Sequence, residues 1–118
     1  MKLIEKTITQ DGKEIGYICI LTYPNFNTPF IQYHVDAEYQ NQGVMSRELP
    51  IFLKACKKHS YNQICAMVKD DNIASIKVLE KNNFIPYKTD RNIITYLTDL
   101  RFTKAEFKKM LSDYRGYE

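Results

Sequence analysis

The stretch Tyr33 to Leu49, YHVDAEYQNQGVMSREL, is the part around which the rest of the chain is arranged. It starts as an apolar run, passes through a polar loop holding Gly43, one of only four glycines, and continues into a helix-like segment. A strand feeding a Gly-containing loop that opens a helix leaves unpaired backbone N–H groups aimed at one point. The helix dipole makes that point attractive to anions. Such a turn can grip a phosphate, but a lone Gly before a helix also fits an ordinary strand-to-helix connection.

The flanking segments supply a sheet. Lys2 to Thr9 alternates in polarity and Glu14 to Tyr23 is dense in Ile, Tyr and Leu; between them, Gln10-Asp11-Gly12-Lys13 carries the Asp-Gly pair of a tight hairpin. Pro24 to Pro29 is turn chemistry, and Phe30 to Val35 reads as a third, central strand. From Gly43 to about His59, Leu49, Phe52, Leu53 and Cys56 recur at helical spacing opposite Lys54, Lys57 and Lys58. Pro50 removes one backbone bond at a cost of about 3 kcal/mol. The helix therefore either kinks there or starts near Leu49; a kinked helix from Gly43 is the favoured reading.

Gln63 to Val68 forms a fourth strand. Asp70-Asp71-Asn72 then caps a helix running to about Asn82, with Ile73, Ile76 and Leu79 on its core face and Asn82-Asn83 ending it. Phe84 to Lys88 and Asn92 to Leu97 are two more strands joined by a polar turn. Thr103 and Glu106 make a capping box for a last helix, with Phe102 stapled on Phe107 and an apolar stripe of Phe107, Met110, Leu111 and Tyr114. The expected fold class is α/β in the mixed α+β sense: a twisted mixed sheet of about six strands with helices on both faces.

At 118 residues and 44% hydrophobic content, a single domain spanning 1–118 is expected. No apolar run approaches the roughly 20 residues of a membrane span, and Glu5 interrupts any signal-like start, so a soluble cytoplasmic protein without a membrane partner is expected. Cys19, Cys56 and Cys65 are odd in number and form no CxxC pair, so they read as small buried hydrophobes. A net charge of +3 spread over scattered lysines suits a small anionic ligand better than nucleic acid. His34 and His59 are far apart and without partners at ligand spacing, so no metal is expected. No Ser-His-Asp, nucleophile-elbow or P-loop pattern is present. The nine Tyr and six Phe fall largely on strands, where core and sheet packing explains them.

Two stretches carry a family resemblance. Val35-Asp36-Ala37-Glu38-Tyr39-Gln40-Asn41-Gln42-Gly43-Val44-Met45 resembles the acyl-coenzyme A signature of the GNAT acyltransferase superfamily, Gln/Arg-x-x-Gly-x-Gly/Ala after a strand. Asn72 to Phe84 is similar to the same family's second motif, a helix opened by Asn and a small residue and closed by Lys-x-Gly-Phe. The two occur in order and at the expected separation.

The resemblance implies a GNAT-like fold that uses acetyl-CoA as cosubstrate. It implies that Gln40, Asn41, Gln42, Gly43, Val44, Met45 and Ser46 offer backbone N–H groups to the pyrophosphate. It further implies that Val35 pairs with the pantetheine arm, that Asn72 and Ser75 contact the coenzyme, and that Lys81 approaches a phosphate. Three positions depart from the family pattern: Met45 stands where Gly or Ala is usual, Asn83 where Gly is usual, and Leu79 where many members carry the Tyr that protonates the leaving thiolate. The hairpin is expected to start at Met1, so the family's strand and helices ahead of it are expected to be missing and the C-terminal helix to be extra. The acceptor side is therefore expected to be open, or covered by that helix or by the second subunit of a homodimer.

The activity implied is N-acetylation of a primary amine by direct transfer. Coenzyme A is a fair leaving group, since an alkyl thiol has a pKa near 8.5. The amine is harder: an ammonium of pKa about 10.4 is neutral only about once in 2,500 molecules at pH 7, roughly 4.6 kcal/mol uphill. A base is wanted, and the third strand offers His34, ranked first, and Tyr33, with Glu38 near the loop. The alternative implied by Leu79 and Met45 is a coenzyme A-binding module that kept the fold and lost catalysis.

Overall fold

Asp11 and Gly12 take φ of 53° and 78°, the two positive values that a type I′ turn requires. That turn joins β1 (Lys2–Gln10) to β2 (Lys13–Leu21) in antiparallel register, Gln10 opposite Lys13. The computed structural model describes residues 2–115, so the expected hairpin start at Met1 lies outside the described residues. Antiparallel to β2 runs β3 (Phe30–Val35), followed by a 3-10 turn over Ala37–Tyr39 that local patterning did not announce.

Helix α1 (Val44–Lys58) starts directly after Gly43, whose φ of 74° turns the chain into it, and runs on through Pro50. The favoured start near Gly43 therefore holds. Pro50, at an exposed position inside the helix, has no N–H to offer the carbonyl four residues back. Strand β4 (Gln63–Lys69) leads to α2 (Ile73–Lys81), then β5 (Ile85–Asp90), β6 (Ile93–Asp99) and α3 (Lys104–Arg115). Arg91 and Asn92, both at positive φ, make the β5–β6 turn.

The six strands form one mixed sheet in the order β1-β2-β3-β4-β6-β5, with only β3 and β4 parallel neighbours. Ile18, Ile20, Ile31, Ile64, Ala66, Val68 and Tyr96 cluster with Leu49, Phe52, Leu53 and Cys56 of α1 and Leu79 of α2. Both helices thus cover the same face, as two right-handed crossovers stepping the same way along a sheet must. Helix α3 stands apart from this layer: it touches β6, and its buried Phe107 is outside that cluster. Burial pushes the Cys56 thiol up to about 11, so it is neutral and inert at pH 7.

Two expected core positions are corrected. Ile73 is 56% exposed, because it opens the first turn of α2 beyond the end of β4, before the helix settles on the sheet. Met110 is 46% exposed; α3 buries Phe107 and part of Leu111, a narrower stripe than the spacing suggested, and the Tyr114 side chain lies outside those described. The caps match expectation. Thr103 and Glu106 bond reciprocally, Thr103 N–H to Glu106 Oε1 at 2.9 Å and Glu106 N–H to Thr103 Oγ1 at 3.2 Å.

Asp99 closes β6 with its side chain fully buried. Burial alone pushes its carboxyl up, but donations from the Arg101 side chain and backbone and from Gln63 outweigh it and hold the carboxyl below the usual value. With the folded-state pKa the lower one, the ionised carboxylate stabilises the fold above the unfolded value of about 3.9. That contribution is lost as pH falls through the lowered folded value. In urea titrations, the stability gap between wild type and Asp99→Asn is expected to be constant from about pH 7 to about pH 5 and to close toward about pH 2. A gap independent of pH would refute this role for the carboxylate.

Candidate active site

The parallel pair β3 and β4 is joined at one end only. Phe30 is in register with Cys65, and Cys65 N–H donates to Pro29 O at 2.9 Å; beyond that the strands diverge. The divergence opens a slot of about 680 Å³, walled by β3 and β4, the start of α1 and one side of α2.

At one end of the slot, Gly43, Val44, Met45 and Ser46 line the wall. The α1 start has no side-chain cap, and the first intrahelical donation drawn from the turn is Arg47 N–H to Gly43 O at 3.1 Å. The Val44, Met45 and Ser46 N–H groups precede it and are the helix's free donors. Met45, a position of expected crowding, is 8% exposed and buried in the core, so its side chain leaves the turn clear. Gln40 and Asn41 also reach the slot, whereas Gln42 does not line it and bonds the Glu38 carbonyl through its amide at 3.0 Å. The Gln40 amide donates to the Val35 carbonyl at 3.0 Å, the group expected to face the pantetheine arm.

Asn72 and Ser75 stand on the opposite wall. Asn72 caps α2, its Oδ1 accepting the Ser75 N–H at 3.2 Å. The Ser75 hydroxyl lies 2.5 Å from the Tyr33 Oη, bridging α2 to β3. Burial pushes the Tyr33 phenol up and the bond to Ser75 offsets part of this, so the phenol is protonated at neutral pH. Tyr33 therefore does not fit the role of a base, for which sequence reasoning had offered it.

Residues that alternate along a strand point to opposite faces. Tyr33 pairs with Ile18 on the helix-covered face, and His34 pairs with Tyr17 on the other. The His34 ring lies 5.9 Å from the Tyr17 ring, and its Nε2 is 3.2 Å from Asp36 Oδ1. It lines the slot and is half exposed. Glu38 is exposed, does not line the slot, and gives its carbonyl to Gln42.

Lys69, Lys77 and Lys81 also line the slot. Lys69 and Lys77 went unread in the sequence, although Lys77 and Lys81 sit at i, i+4 on α2 and so share one helix face. Leu79 is buried and offers only hydrocarbon. Among the described residues, no group of three or more His, Cys, Asp or Glu gathers at metal-binding distance, and no helix is long and apolar enough to cross a membrane.

Residues 3–85 match the family model described as an acetyltransferase (GNAT) domain. The chain belongs to the GNAT acetyltransferase family. No curated protein sequence matches it significantly. The GNAT fold recurs in an N-acetyltransferase from Staphylococcus aureus, 24% identical with a TM-score of 0.67, covering 80% of this chain and 66% of that one. It recurs in the PaiA N-acetyltransferase from Thermoplasma acidophilum, solved in complex with coenzyme A, at 18% identity and a TM-score of 0.69, covering 81% and 60%. A domain from Methanocaldococcus jannaschii aligns at 21% identity with a TM-score of 0.66, over 79% of this chain and 62% of that one. The chain thus spans less than two thirds of the length of each of these three GNAT-fold structures.

Proposed function

We propose that the chain is an acetyl-CoA-dependent N-acetyltransferase that moves an acetyl group directly to a primary amine. The observation that carries this reading is convergence: the free N–H groups at the start of α1 and the Asn72–Lys81 side of α2 meet across the one slot where β3 and β4 part. Acetyl-CoA would supply the acetyl group as a thioester. The Val44, Met45 and Ser46 N–H groups hold its pyrophosphate, and Lys77 and Lys81 balance the charge. Val35 pairs its backbone with the pantetheine amides once the Gln40 amide swings away. Backbone N–H groups of β3 polarise the thioester carbonyl. His34, on the face away from α1 and α2, takes the proton of the incoming amine. Its Nε2 is engaged by Asp36, which leaves Nδ1 to accept.

Isothermal calorimetry with coenzyme A tests the binding half. No heat at millimolar coenzyme would end the reading. Thiol release with a panel of amines tests the chemistry. A second reading, a coenzyme A-binding module without turnover, is favoured by the hydrocarbon of Leu79 in the slot wall and would fall on robust release with any amine.

The charge balance gives its own prediction. The double variant Lys77→Ala/Lys81→Ala is expected to weaken coenzyme A binding by about tenfold at low salt, from roughly 0.5–1 kcal/mol per exposed charge pair, and by much less at high salt. An equal loss at both salt concentrations would mean that the lysines act through packing.

A further inference from the structure

We propose that Tyr33, with Ser75 behind it, is the proton donor to the thiolate that leaves when the acetyl group is transferred. This rests on the acetyltransferase reading above and assigns the half of the proton traffic that His34 does not serve.

The geometry points to Tyr33 in three ways. Its place on β3 turns the side chain to the helix-covered face, where the ring packs against the main core cluster and the Oη reaches across the slot to Ser75 Oγ at 2.5 Å. The other hydroxyl groups on the slot wall, Tyr39 and Ser46, belong to the loop and the start of α1, the end assigned to phosphate. One turn beyond Ser75 on α2 stands Leu79, which has no proton to give. Among the described residues, Tyr33 and Ser75 are thus the one hydroxyl pair that joins the two walls. His34, the next residue, lies on the opposite face of the same strand, so donor and acceptor of protons are adjacent in the chain and on opposite faces of the sheet. The buried phenol remains protonated at neutral pH, as a donor must.

The step balances. The amine nitrogen forms a bond to the carbonyl carbon, the C–S bond breaks, and its electron pair stays on sulfur. The Tyr33 O–H gives its proton to that sulfur, and the phenolate recovers one from the Ser75 hydroxyl, which takes one from water at the slot mouth. The proton lost by the amine passes to His34 and then to water, so none is consumed overall.

A hydrogen bond from the phenol to sulfur favours the thiolate form, which can be read without turnover. The thiol of bound coenzyme A, followed by its thiolate ultraviolet absorbance, is expected to ionise about one pH unit lower in the wild type than in Tyr33→Phe. Coenzyme A affinity measured by calorimetry should stay within about twofold. His34, Tyr39, Lys69, Lys77 and Lys81 are the other charged or titratable side chains lining the slot, and they are common to both proteins. Tyr33→Phe is further expected to slow transfer from acetyl-CoA by about 100-fold, but to leave transfer from an aryl thioester, whose acidic thiol needs no proton, unchanged. Ser75→Ala, which keeps the phenol and removes its relay, should show the thiol shift and a smaller loss of rate. Equal thiol pKa values in wild type and Tyr33→Phe with binding intact, or equal rate losses with both donors, would overturn the proposal alone. Failure of the wild type to bind coenzyme A would remove the acetyltransferase reading, and the proposal with it.

Discussion

Phe84→Ala is expected to destabilise the fold by about 4 kcal/mol, within the 3–5 kcal/mol that deleting a fully buried phenyl ring costs. For a domain of this size that lowers the melting temperature by roughly 15 °C. Phe84 is fully buried, and its backbone closes α2: its N–H donates to Leu79 O at 3.0 Å, and the Asn83 N–H to Glu80 O at 3.2 Å. Asn83, at φ 69°, supplies the left-handed residue of that motif, and its carbonyl accepts the Thr98 hydroxyl at 3.0 Å. The ring thus couples the end of the helix bearing Ser75, Lys77 and Lys81 to the core beneath the slot. Urea unfolding with a midpoint close to the wild type would show that the core collapses to fill the gap.

Gly16→Ala is the second large effect, and it reaches the site. A Cβ on Gly16 would stand 2.1 Å from the His34 carbonyl oxygen and 3.2 Å from the Val35 Cα. These are backbone atoms, so β2 and β3 must separate, at about 2–3 kcal/mol. The residues displaced are those that carry the proposed base, His34, and the backbone proposed to pair with pantetheine, Val35. A shift of about 1 Å there is expected to lower the rate of transfer about 100-fold in the folded fraction. Gly12→Ala is the control: nothing lies within 4 Å of its added Cβ, and the strain comes only from φ of 78°. It should cost about 1–2 kcal/mol of stability and leave transfer unchanged. Similar rates in the two variants would show that the Gly16 contact does not position β3.

Where expectation and structure agree, the determinants are local. The Asp11-Gly12 turn, the Asn72 cap, the Asn83 terminator and the Thr103–Glu106 box each involve groups within about four residues of one another, and only a few residue types satisfy them. The strand and helix periods are likewise read over short windows, which is why the element order and the two GNAT-like stretches were legible. Boundaries moved by one or two residues, as with β5 at Ile85–Asp90 against an expected Phe84 to Lys88.

The site's working geometry depended on pairings that no short window contains. Tyr33 meets Ser75 across 42 residues, and Gly16 admits the His34 carbonyl only because β2 and β3 pair in one register. Lys69 and Lys77 became slot residues because β4 leaves β3 after a single paired position. Ile73 and Met110 were misplaced for the same reason: a helical period says which residues share a stripe, not where the helix overhangs the sheet. The amino-acid order sufficed for the elements, their caps and the Gly43 turn into α1, because these depend on interactions along the chain. The slot, and the placing of Tyr33 and His34 on its two sides, came from strand register and divergence, which arise only when distant segments pack together.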